Sequence, residues 1–134
     1  MTTPAARMPT TQDFEQIALE TLSALPAHLR EQMEDVVLDI REFASPEQLA
    51  SVGISSQWHL TGLYEGRPID ERSSWESGTL PAMITLFRQP LLREWRETGV
   101  EFEALVRHVV IHEAGHHFGF SDEEMHALED SAGD

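Results

Sequence analysis

The chain has no cysteine and no lysine, and its 9 cationic side chains among 134 residues are all arginine. Without thiols there are no disulfides, thiolate zinc sites, iron–sulfur clusters or cysteine nucleophiles, so any metal must be held by His, Asp or Glu. Cationic charge is scarce against 24 acidic residues, which leaves a formal net charge of −15. Phosphate backbones and anionic membrane surfaces require a surplus of Lys and Arg, so no nucleic-acid partner is expected. Long apolar runs are missing as well. A membrane span needs about 18 or more apolar residues, and the stretch from Ala104 to Ile111 is already broken by Arg107 and His108. The opening residues lack the apolar segment of a secretory signal, so the expected location is cytoplasmic.

The 40% hydrophobic and 25% charged residues that are present suit one globular domain. Pro4, Pro9 and small polar residues make 1–10 an expected disordered leader, and 11–134 the domain. From Thr11, Phe14, Ile17, Ala18, Leu22 and Leu25 recur at helical spacing until Pro26. A short helix over Ala27–Met33 follows. Val36, Leu38 and Ile40 alternate with Val37, Asp39 and Arg41, the period of a strand. Ser45-Pro46-Glu47-Gln48 is a helix start, with Ser at the cap and Pro in the first turn. Further strands are predicted over Trp58–Tyr64 and Ala82–Phe87, separated by a polar loop over 70–79. A short helix is expected over Leu91–Arg96. The strongest helix runs from about Glu101 to Phe118 and ends at Gly119; Ser121 and Glu124 then frame a final helix. The fold class is α+β, with helices around a small sheet of about three strands.

The longest predicted helix carries His112-Glu113-Ala114-Gly115-His116. Residues four apart share a helix face, so both imidazoles can reach one Zn²⁺. Glu113 stands beside that site, where it can accept a proton from a water that the metal activates. The five-residue pattern alone is a weak signal. Gly119 and Asp122 extend it to His-Glu-x-x-His-x-x-Gly-x-x-Asp, which is far more specific. A glycine there can turn the chain back after the helix and let Asp122 close the site. Glu129 and His126 compete with Asp122 as third ligand, and His108, one turn earlier, could lengthen the histidine row. His117 is expected to be structural or surface, and Trp58, Trp75 and Trp95 to be packing anchors. Tyr64 and Arg67 are candidates for contacting substrate or a developing oxyanion.

This segment resembles that of the minimal zincins, small bacterial proteins with a zinc metallopeptidase motif. Similar features extend to Gly62-Leu63-Tyr64-Glu65-Gly66, to Leu80-Pro81 before Ile84-Thr85-Leu86-Phe87, and to Val109-Val110-Ile111 entering the motif. The resemblance covers about residues 12–131. It implies a small mixed sheet backed by the active-site helix, zinc held by His112, His116 and Asp122, and Glu113 as general base in peptide hydrolysis. The larger metzincins carry a third His and a separate Met-containing turn; here Asp122 takes the third place, and Met125 is too near to form that turn. By the same analogy a peptide substrate lies along an antiparallel edge strand, assigned to about Leu60–Glu65. The rival readings are a zinc-stabilised protein-binding module without turnover and an acidic interaction domain without metal.

Overall fold

A computed structural model describes residues 8–66, 81–121, 123–125 and 127. Its first element is set by a reciprocal cap. The Asp13 N–H donates to the Thr10 hydroxyl (3.2 Å), and the Thr10 N–H donates to the Asp13 carboxylate (2.7 Å). That starts α1 (Thr11–Ser23). Just before it, the Pro9 carbonyl accepts two bonds from the Arg88 guanidinium, at 3.0 and 2.8 Å. Residues 1–7 of the expected leader lie outside the described residues.

After α2 (Ala27–Gln32) comes β1 (Val37–Arg41), where the alternation predicts a strand. The Ser45–Gln48 cap forms in both directions and opens α3 (Pro46–Ser51). The strand expected over Trp58–Tyr64 is shorter, β2 (Gly62–Glu65). Gln57–His59 instead turn as a 3₁₀ helix, because the Ser56 hydroxyl takes the Trp58 N–H. Trp58 is then set edge-on to Phe43 at 4.8 Å, with the Arg93 guanidinium 5.0 Å from its ring. Third comes β3 (Met83–Phe87). The polar loop expected over 70–79, with Trp75, lies outside the described residues, as does Arg67.

The short helix expected over Leu91–Arg96 is longer, α4 (Arg88–Thr98), and starts directly after β3. Pro90 falls in its first turn, where a missing N–H breaks no helical bond, so it does not delay the helix. The motif helix α5 spans Phe102–Phe118, close to expectation. Beyond it, the Ser121–Glu124 cap forms in both directions, and residues 123–125 and 127 are helical.

The three strands form one mixed sheet in the order β1-β3-β2, with β1 parallel and β2 antiparallel to β3. This is the expected α+β class. Successive residues of β3 face opposite ways. Ile84 and Leu86 enter the main core with Phe14 and Ala18 of α1 and Val106, Val110 and Ile111 of α5. Phe87 faces a smaller cluster with Ala44, Leu60 and Leu63. The sheet thus has α1 and α5 on one side, and α5 also packs along β2, an edge strand among the described residues.

Candidate metal centre

The middle and the C-terminal end of α5 both matter to the site. Its middle is fixed by the core residues Val106, Val110 and Ile111, so the opposite face points outward at each turn. Its end is fixed by Gly119, at φ 73°, a left-handed conformation that glycine adopts without penalty. There the Phe120 N–H reaches back to the Gly115 carbonyl at 2.9 Å, closing the last turn.

His112 and His116 lie exposed on that outward face, with ring centroids 4.9 Å apart and ring planes at 88°. Glu113 lies beside them but buried, 8% exposed. A nitrogen from each histidine and a carboxylate oxygen of Glu113 all come within 4.8 Å of one another. Two imidazoles beside a carboxyl, with no thiolate, are a donor set that suits Zn²⁺.

Burial pushes the Glu113 carboxyl from its ordinary 4.5 up to about 7, and a hydrogen bond from the Tyr64 backbone N–H pulls the other way. That bond depends on a close approach of α5 to β2. A Cβ on Gly62 would lie 2.5 Å from Cγ1 of Val109 and 3.4 Å from Cγ of Glu113, so only glycine lets the helix sit there. Gly62 and the Tyr64 amide are the contributors that sequence reasoning missed. A backbone N–H has no residue signature; the glycine inside a strand was the available signal.

The Tyr64 hydroxyl goes elsewhere. It lies 2.9 Å from Nδ1 of His117, whose Nε2 is 3.2 Å from the Gln32 carbonyl. Because that carbonyl can only accept, Nε2 carries the proton and Nδ1 accepts from the Tyr64 O–H. His117 is therefore a buried tie between α5, β2 and the end of α2, 1% exposed. Tyr64 reaches the candidate site through its amide. Trp95 packs on Phe102, ring centroids 5.3 Å apart, as an anchor.

A cleft of about 430 Å³ opens beside the centre. Glu113 and His116 line it, together with Val52 and Ile54 from the α3–β2 connection and Leu60 and Leu63 at β2. Among the described residues β2 (Gly62–Glu65) lies at an edge of the sheet, antiparallel to β3, within the stretch of about Leu60–Glu65 expected to be the edge. His108 is exposed one turn before His112 and does not belong to the three-residue donor group. Asp122, His126 and Glu129 lie outside the described residues. Met125 packs so closely on Gly115 that a Cβ there would meet its Cγ at 2.6 Å. Among the described residues no helix is long and apolar enough to cross a membrane.

No curated protein matches the chain. A family model does, over residues 33–132, a span that runs from before β1 past the whole His-Glu-x-x-His helix. That is well over half of the sequence, and it makes this chain a member of the zincin-like metallopeptidase family.

Proposed function

We propose that the protein is a zinc-dependent peptidase acting on peptides or proteins, with His112, His116 and Asp122 holding the metal and Glu113 as general base. The observation that carries this reading is the convergence of His112, Glu113 and His116 within 4.8 Å, with Glu113 and His116 lining a cleft, in a chain of this family. Zinc bound there supplies a Lewis acid that polarises the scissile carbonyl and makes water more acidic.

The protein's own groups do the rest. The ionised Glu113 carboxylate takes the proton of the attacking water and passes it to the departing amine. The Tyr64 N–H holds the carboxylate in place, so less motion is lost when the substrate arrives. An extended peptide substrate would lie along β2, as expected of the edge strand.

Metal content of protein purified without a His-tag, and hydrolysis of a peptide mixture by the zinc-loaded and chelated forms, test the reading together. Glu113→Gln keeps the shape and removes the proton acceptor. It should bind zinc normally and lose about a hundredfold or more in hydrolysis. Equal hydrolysis by wild type and variant, each stripped and reloaded, would assign the activity to a contaminant. Asp122→Ala should weaken zinc binding by about tenfold or more; unchanged affinity, with the loss in Glu129→Ala or His126→Ala, moves the third ligand there.

A further inference from the structure

Two rows of side chains run next to each other along the last turns of α5. His112 and His116 form the exposed row. Val109, Glu113 and His117, again four residues apart, form a buried one, with Glu113 8% and His117 1% exposed. The strand β2 lies along this buried row. Gly62 meets Val109, where a Cβ would come within 2.5 Å of Cγ1. Tyr64 then holds the other two residues at once. Its backbone N–H donates to the Glu113 carboxylate, and its hydroxyl donates to Nδ1 of His117 at 2.9 Å. One residue of the strand is thereby gripped at two points of one helix face, about 6 Å apart along the axis.

The second grip is polar where packing alone could be apolar. Replacing both partners of a buried hydrogen bond by hydrocarbon of the same shape is close to neutral for stability. Hydrocarbon supplies no direction, however, because apolar contact tolerates sliding. A hydrogen bond weakens steeply once its angle falls below about 120°. The imidazole is itself fixed on its far side, since Nε2 donates to the carbonyl of Gln32, the last residue of α2, at 3.2 Å. Turning the ring breaks one bond or the other. The tie therefore sets where Tyr64 stands on the helix, and with it the amide that meets Glu113.

We infer that His117 is a positioning residue for hydrolysis: through the Tyr64 hydroxyl it fixes β2 on α5, so that the Tyr64 amide holds the Glu113 carboxylate beside His112 and His116. The inference rests on the peptidase reading above. His117 acts through Tyr64 and not on the reacting atoms. Cutting the tie leaves the amide in the chain but lets it drift. A displacement of 1 Å can cost about a hundredfold, and a strand that still returns to its place costs less, so about tenfold in kcat is expected.

The test compares Tyr64→Phe, His117→Leu and the double variant as zinc-loaded full chains, each shown to be folded by circular dichroism. Either single change should lower kcat about tenfold, with KM and zinc affinity within about twofold of wild type. The double should be no slower than the slower single, because both changes break one tie. Unchanged kcat with lower urea midpoints would make the tie a matter of stability alone and overturns the inference. So does a loss in Tyr64→Phe beside an unaffected His117→Leu, which would make the hydroxyl itself the acting group. Hydrogen exchange at the position-64 amide needs no turnover. In the metal-free protein either single variant should speed it about tenfold more than the amides of β3, so Tyr64→Phe decides if His117→Leu does not fold. If wild type cuts no peptide but this exchange rises, the peptidase reading falls and the link from His117 to the amide stands. A rise no greater than in β3 overturns the link, with or without hydrolysis.

Discussion

At Glu113 two demands oppose each other. A base beside a metal works as an anion, yet burial against Gly62 and Val109 favours the neutral acid. The metal-free protein should show this directly. The folded-state pKa of about 7 lies above the ordinary 4.5, so the folded form holds this proton more tightly than the unfolded form. Its contribution to stability is complete below about 4.5 and is lost as pH rises through about 7. The full difference is on the order of 3 kcal/mol. In urea unfolding with chelator present, Glu113→Gln should therefore gain on wild type by up to that amount between about pH 5 and pH 8. A difference that does not vary with pH would mean that the carboxyl titrates alike in both states. The residues legible in advance, His112, Glu113 and His116, are those whose chemistry is fixed by identity and spacing alone. Gly62 and the Tyr64 amide act by shape and by a backbone group, which side-chain patterns do not encode.

Elements were legible where periodicity or capping was strong. The stripe of α1, the alternation of β1, the Ser45 and Ser121 caps and the Gly119 stop all form as the sequence predicts. What failed was local chemistry overriding pattern: the Ser56 hydroxyl turns Trp58 out of the strand, and Pro90 falls harmlessly into the first turn of α4. The tie from β2 through Tyr64 and His117 to the Gln32 carbonyl joins residues 53 and 85 positions apart, beyond the reach of any local pattern. Tyr64→Phe tests it, since the change removes the hydroxyl that donates to a buried imidazole nitrogen. We expect a loss of about 1–2 kcal/mol, read as a lower urea midpoint with unchanged slope. A loss under about 0.5 kcal/mol would mean the hydroxyl bond adds nothing to the packing of the two rings.

For the molecule as a whole, metal and fold are linked, because the donors of α5 converge only when that helix is formed and packed. Zinc at about one hundred times its dissociation constant should add roughly 2.7 kcal/mol to stability, raising Tm by several degrees. His112→Ala should fold but show no such rise; an equal rise would place the bound zinc elsewhere. Strand order was the least legible feature at this scale, since β1 pairs with a strand more than 40 residues later and skips β2. That arrangement makes β3 the common partner of both its neighbours. As the chain leaves the ribosome, β1 and β2 emerge first, and neither finds its place in the described sheet until Phe87 has followed. Pairing across such separations is slow, and waiting strand edges are adhesive. The strand that borders the cleft and the helix that carries the histidines are therefore assembled late and almost together, so a nascent chain stopped before β3 holds every aliphatic residue lining the cleft and neither Glu113 nor His116.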